Sequence, residues 1–229
     1  VKTIAKILNI LMALLLIPTL LAGCNMVGFM AQAVSPPELV EAKYELPDKP
    51  TLIVIDDLDG LVNNESLLRA IANSTVAALE AEKVVTVGFV GQDELAGYRE
   101  HLGDAYKQTS LAALGSHLGA KQVIHAEVTG YQMDLGGSVV RPGIAMNVKV
   151  FDLDQLTRVF PPDKDPKTGV DTGITTYPLA VKMPARDLSG QGAARSIVAR
   201  ELASLAGRDL GRLFFDWRKP EPGSNLDNR

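Results

Sequence analysis

Asp57-Leu58-Asp59-Gly60 is the one passage of this 229-residue chain whose residue types and spacing could do nucleophilic or acid–base chemistry. It follows the apolar run Leu52-Ile53-Val54-Ile55, so it stands at the end of an expected buried strand. Two carboxylates one residue apart can divide labour there: the first attacks a phosphoryl group and the second moves a proton, both beside a divalent cation. That chemistry also needs a downstream lysine and an acidic pair at the ends of later parallel strands. The later strand ends, Phe89-Val90-Gly91 and Tyr131-Gln132-Met133, supply neither. A calcium loop fails as well, because its spacing before Gly60 needs an oxygen ligand at Ile55, and Ser66 stands where the bidentate Glu belongs. The expectation for Asp57 and Asp59 is a turn whose carboxylates face water. A metal-dependent phosphatase using both is the alternative.

The Asp57-Leu58-Asp59-Gly60 passage resembles the first motif of haloacid-dehalogenase-type phosphatases, with Leu61 where that family has Thr or Val.

The remaining candidates are dispersed. His101, His117 and His125 fall on two expected helices and a strand with no metal-ligand spacing, and read as surface or satisfied core histidines. Ser110, Ser116 and Ser138 lack a nucleophile-elbow context, and no phosphate-loop or dinucleotide glycine pattern follows a strand. Asp152, Asp154, Asp163 and Asp165 read as charged turns. Trp217, the only tryptophan, reads as a cap on the core. No catalytic residue, metal site or cofactor is expected, and the chain is read as not an enzyme.

Cys24 carries a different kind of chemistry. Lys2 and Lys6 precede an apolar run from Ile7 to Leu21, and Ala22-Gly23 lead into the chain's single cysteine. A charged region, an apolar stretch shorter than the roughly 20 residues of a bilayer span, and small residues before a processing point describe a signal sequence. Leu21-Ala22-Gly23-Cys24 resembles the lipobox of bacterial lipoproteins. The resemblance implies cleavage after residue 23, a thioether-linked diacylglycerol on Cys24 and an N-acyl chain, which together anchor a protein far more firmly than one chain does. It also implies retention at the outer membrane on its periplasmic face, since Asn25 stands where an inner-membrane retention signal has Asp. The thiol is then unavailable as a nucleophile or redox centre.

Charge and composition agree with an anchored envelope protein. The chain has 27 acidic and 23 basic residues, a net charge of −4, and so lacks the basic field that nucleic-acid binding requires. Loss of the two signal lysines leaves 21 basic against 27 acidic residues, a net of −6. Hydrophobic residues make up 46% of the chain, enough for a globular core.

The organisation expected is a signal peptide over 1–23, a flexible tether over 24–50 with Pro36, Pro37, Pro47 and Pro50, an αβ domain over 51–217 and a disordered tail over 218–229. Within the domain, a strand at 52–55 is followed by a helix from Glu65 to Glu82 capped by Asn64. A second strand is expected over Val84, Val85, Val87, Phe89 and Val90. Helices at 92–102 and 109–118 follow, the latter ended by Gly119. Strands are then expected over 122–133, 144–153, 157–160 and 175–183. A long helix over 191–215 closes the domain, with Ile197, Val198, Leu202, Leu205, Leu210, Leu213 and Phe214 as its apolar stripe. This order implies an α+β fold, a mixed sheet with a meander and helices packed on it.

Leu52-Ile53-Val54-Ile55-Asp56-Asp57-Leu58 opening the domain, the passage Leu111-Ala112-Ala113-Leu114-Gly115-Ser116-His117-Leu118-Gly119-Ala120-Lys121-Gln122-Val123-Ile124 leading into Glu127-Val128-Thr129-Gly130-Tyr131, and then Val148-Lys149-Val150-Phe151-Asp152 resemble, over roughly residues 51 to 215, the compact αβ domain of several envelope lipoproteins. That domain occurs in the curli-secretion lipoprotein, in a lipoprotein that activates penicillin-binding proteins, and at the N-terminus of the Tol-system propeller protein. The resemblance implies a non-enzymatic binding or assembly module, with an envelope protein or a second copy as partner. It does not extend to the pore of the curli family, because 133–143 and 161–173 are too short and polar for transmembrane hairpins.

Overall fold

The computed structural model describes residues 37–134, 139–187 and 192–220, so the expected signal segment, Cys24, the tether as far as residue 36 and the tail from 221 lie outside the described residues. The chain divides into a small unit, described at 37–40 and 218–220, and a large unit, Glu41–Trp217. In the small unit Lys219 meets Glu38 twice, its N–H donating to the carbonyl at 2.9 Å and its ammonium to the carboxylate at 2.8 Å. The large unit is a single α+β domain, with a mixed sheet and a long C-terminal helix.

Its elements run β1 (Thr51–Asp56), α1 (Glu65–Ala81), α2 (Gln92–Leu102), a 3-10 turn (Gly103–Gln108), α3 (Leu111–His117), β2 (Gln122–Asp134), β3 (Val139–Asp152), β4 (Thr157–Phe160), β5 (Tyr177–Lys182), β6 (Arg186–Asp187) and α4 (Gly192–Gly211), which ends in a second 3-10 turn (Arg212–Phe214). β1 pairs with β2 in parallel and β2 with β3 antiparallel. The long β3 then carries β4, β5 and β6 in succession on its other edge, all antiparallel. The continuous apolar sequence of β1 is explained by cover on both sides, since all six of its residues are buried. Ile53 and Ile55 join Ile124, Ala126, Met146 and Val148 in a core closed by α1 and α4. Leu52 and Val54 join Val123 in a second core closed by Leu95 of α2 and Leu114 of α3.

The large unit starts at Glu41, ten residues before the boundary expected at Thr51. Leu46 sits in the main core, the N–H groups of Lys43 and Tyr44 bond the Leu213 carbonyl, and Lys49 bridges Asp152 at 2.8 Å. The carbonyls of Pro47 and Pro50 accept from the Gln122 side chain and the Lys121 N–H, so this segment is bonded to the domain rather than free of it. Arg218 and Lys219, expected to begin the tail, lie in ordered contacts. Trp217 is half-buried under the guanidinium of Arg212, 4.2 Å from its ring centroid, rather than capping the core.

The strand expected over 84–90 does not form. Only a single bridge joins Phe89 to Thr51, and Gly88 at φ +111° breaks the extended run. The N–H groups of Thr86 and Val87 find the Asp48 carboxylate at 2.7 and 3.2 Å, so a side chain replaces the ladder a neighbouring strand would have offered. The outer edge of β1 is closed by side chains too: Gln92 donates to the Ile53 carbonyl at 3.0 Å and Arg99 to the Ile55 carbonyl at 3.1 Å. Such capping keeps an edge strand from recruiting another chain.

Local signals elsewhere hold. The Asn64 side chain accepts from the Leu67 N–H, and Gly119 takes φ +73° just past the end of α3; that helix starts at Leu111 rather than at 109, because the Ser110 side chain caps it by accepting from the Ala113 N–H. Asn64→Ala is expected to lower stability by about 1 kcal/mol, seen as a lower urea midpoint with an unchanged slope. In α4 the apolar stripe buries Val198, Leu202 and Leu210, whereas Ile197 is half exposed. What the stripe omits is the spacing Gly207-xxx-Gly211, which lets α4 approach α1 backbone to backbone. A Cβ at Gly207 would lie 2.3 Å from the Ile71 carbonyl oxygen, and one at Gly211 would lie 2.9 Å from the Ala78 Cβ.

Candidate functional site

β1 ends at an open cleft of about 870 Å³, walled by the loop after the strand, the start of α1, the outer face of α2 and the 3-10 turn. The carboxyl end of a strand in an αβ sheet is a common place for a recognition site, because loops and helix ends converge there. The residue that organises the cleft is Asp56 rather than Asp57 or Asp59.

Alternation along β1 places Asp56 on the same side as Leu52 and Val54, facing α2. One carboxylate oxygen accepts from the Arg99 guanidinium at 2.8 Å and from the Tyr106 hydroxyl at 2.7 Å. The other lies 2.9 Å from Nε2 of His125. His125 reaches it because parallel pairing sets His125 beside Val54, two residues before Asp56. Arg99 also lies over the Tyr106 ring, 4.8 Å from its centroid. Burial pushes the Asp56 carboxyl up, but the bonds from His125 and Tyr106 and the charge of Arg99 outweigh it and hold the pKa below the usual carboxylate value. The Tyr106 hydroxyl is pushed well above its ordinary value, by burial first and then by the Asp56 charge. Arg99 Nε and His125 Nδ1 are buried without a hydrogen-bond partner among the described residues. The network is therefore a tightly held ionic anchor fastening α2 and the 3-10 turn to the sheet.

Asp57 does not leave its carboxylate free to water as expected. One oxygen accepts from the Leu61 N–H at 2.7 Å, and the other from the N–H groups of Val62 at 2.9 Å and Asn63 at 3.0 Å. Gly60 and Asn63 adopt left-handed φ values of +67° and +46°, which turn the chain around that carboxylate. Asp59 is exposed and is not part of the cleft wall. The two carboxylates of the phosphatase alternative thus face different surroundings.

The other sequence candidates separate. His117 stacks on Tyr98 with centroids 4.0 Å apart, and His101 is exposed near the end of α2. Asp152 and Asp154 receive Lys49, and Asp154 also receives Lys121 at 3.0 Å, which closes a surface ion-pair cluster. Asp163 pairs with Arg158, and Asp165 accepts the N–H groups of Lys167 and Thr168 in its own loop. No group of three or more potential metal ligands occurs among the described residues. Among the same residues no helix is long and apolar enough to cross a membrane. Cys24 and Ser138 lie outside the described residues.

The fold and cleft define a class: an α+β domain with an open cleft of mixed polar and apolar lining at the end of its parallel edge strand. No protein-family model matches the chain, and no curated protein matches it. Among solved structures it is similar to the PelC dodecamer from Paraburkholderia phytofirmans, at 13% identity over 77% of this chain and 96% of that one, with a TM-score of 0.34. It is similar to lipoprotein GNA1162 from Neisseria meningitidis at 13% identity, over 69% of this chain and 97% of that one, with a TM-score of 0.39. It is similar also to protein XCC0632 from Xanthomonas campestris at 11% identity, over 77% and 91% of the two chains, with a TM-score of 0.39.

Proposed function

We propose that this chain is a lipid-anchored protein of the bacterial cell envelope, held at the periplasmic face of the outer membrane through Cys24. Its αβ domain acts as a non-enzymatic binding module that presents the β1 cleft to an envelope partner. The observation that carries the binding reading is the engagement of the cleft's two best chemical groups. Asp56 serves three side-chain donors and Asp57 three backbone N–H groups, so both are structural supports of a stiff surface. The anchor reading rests on the lipobox residues 21–24 and the charged and apolar segments before them. Anchoring restricts the domain to a thin layer and raises its effective concentration near partners in that layer. With the packed unit beginning at Glu41, the chain from Cys24 reaches at most about 60 Å when fully extended. A partner therefore has to come within a short distance of the membrane.

The test is intact mass and membrane fractionation of the chain expressed in a Gram-negative host, beside a Cys24→Ala variant. Expected is a mature species beginning at Cys24 with added acyl mass in the outer-membrane fraction, and an unprocessed, unacylated variant. A parent protein that is itself unprocessed and unacylated would remove the anchor.

A further inference from the structure

We propose that the β1 cleft receives a lysine or arginine side chain of a partner protein, flanked by apolar residues that pack on Leu58. This rests on the binding-module reading and names the chemistry of its partner.

Charge complementarity carries the proposal. The cleft is lined by five carboxylates and three cations, an excess of two negative charges. Two of those carboxylates are already matched: Asp56 by Arg99 and Asp93 by Arg69, each at 2.8 Å. Asp57 is matched by no cation among the described residues, its oxygens being held by neutral N–H groups. Glu65 and Glu100 are exposed and carry no ion pair among the described residues, and Lys107 is the one lining cation in the same condition. A visiting cation would neutralise the surplus, whereas an anion would add to it.

The rest of the wall selects the shape of that cation. Ile55, Leu58, Leu68, Ala96 and Gly97 contribute aliphatic and backbone surface, against which the methylene stem of lysine or arginine can lie while its charged head meets the carboxylates. Leu58, which lines the cleft, is 49% exposed, a large apolar side chain in a loop whose turn is held by Asp57. A small amine would leave that leucine uncovered, so the geometry favours a polypeptide segment. The loop is already held in shape, which lowers the ordering cost of binding.

The experiment uses the full chain, ¹⁵N-labelled in detergent micelles, titrated with Ac-Gly-Leu-Lys-Leu-Gly-NH₂ and with its counterpart carrying glutamate for lysine. The lysine peptide should shift the amides of Gly60, Gly97 and Gly103 saturably and lose affinity as salt is raised; the glutamate peptide should not shift them. The Glu65→Gln/Glu100→Gln double variant should bind roughly fivefold more weakly, as expected for two exposed charge pairs. Lys107→Ala, which removes the competing cation, should bind more tightly. Equal shifts from both peptides, no saturable shift at millimolar lysine peptide, or undiminished binding by the double variant would each overturn the proposal. A protein that fractionates with the outer membrane yet ignores the peptide rejects this ligand and leaves the anchor standing. A peptide response from an unacylated protein does the reverse.

Discussion

Asp56→Ala should lower the stability of the domain by about 3–5 kcal/mol, the range for removing one partner of a buried ionic network. The loss exceeds that of one hydrogen bond, because three groups lose their bond to the carboxylate together: the Tyr106 hydroxyl, His125 Nε2 and an Arg99 nitrogen, which retains the Ile55 carbonyl. Asp56 and His125 are only 9% and 7% exposed, so water cannot readily replace the missing carboxylate. Urea unfolding of parent and variant measures the difference directly. Its pH dependence has a definite sign. The folded-state carboxyl lies below the value of about 4 typical of an unfolded aspartate, so its contribution is complete above that value and is lost as pH falls through the folded-state pKa. Parent and variant midpoints should therefore converge on acidification below about pH 4. A constant gap down to the folded-state pKa would show that Asp56 supports the fold through shape rather than charge.

Gly207→Ala should be the most damaging single-methyl change in the main core. The added Cβ would meet the Ile71 carbonyl oxygen at 2.3 Å, the Ser74 Cβ at 2.5 Å and the Thr75 nitrogen at 3.0 Å. Two of these are backbone atoms of a regular helix and cannot turn aside, so α4 must lift from α1. The Ile71 carbonyl also accepts the Thr75 hydroxyl at 2.9 Å, so a displaced α1 risks that bond as well. A cost of about 3 kcal/mol is expected, at the upper end for overpacking, with a fall in Tm of about 6–12 °C for a domain of this size. Gly97→Ala is the control. It lies within α2, is exposed, and its added Cβ would meet nothing within 4 Å. There the ordinary helix preference should prevail and raise stability by about 0.5–1 kcal/mol. Opposite signs for two helical glycines in one thermal-unfolding series would isolate the helix contact as the cause. Equal effects would place the origin in helix propensity alone.

The two sites differ in how far the sequence announces them. The spacing of Gly207 and Gly211 is visible in the chain, but only the crossing of α4 over α1 converts two poor helix formers into a requirement. Asp56 and Asp57 are neighbours of the same type, and the turn signal of Asp57-Leu58-Asp59-Gly60 draws the chemical reading one residue too far. Alternation from Leu52 through Val54 would have set Asp56 facing inward, had the strand been carried one residue further. No local feature could have supplied its partners, which lie 43, 50 and 69 residues away in the chain.

By itself the sequence determined what acts over a few residues. The buried β1 run, the Asn64 cap, the Gly119 helix end and the meander after Gln122 follow from propensity, capping and alternation, and the fold class follows from their order. The lipobox-like run ending at Cys24, on which the proposed anchor rests, is likewise a local pattern that needs no fold to be read. Tertiary structure alone decided the parallel register that carries His125 to Asp56, the docking of residues 41–50 on the domain, and the failure of a strand at 84–90 where Asp48 takes the backbone donors. The physical reason is the same in each case. A buried polar or backbone group must find a partner, and which partner is near depends on the packing of segments far apart in the chain.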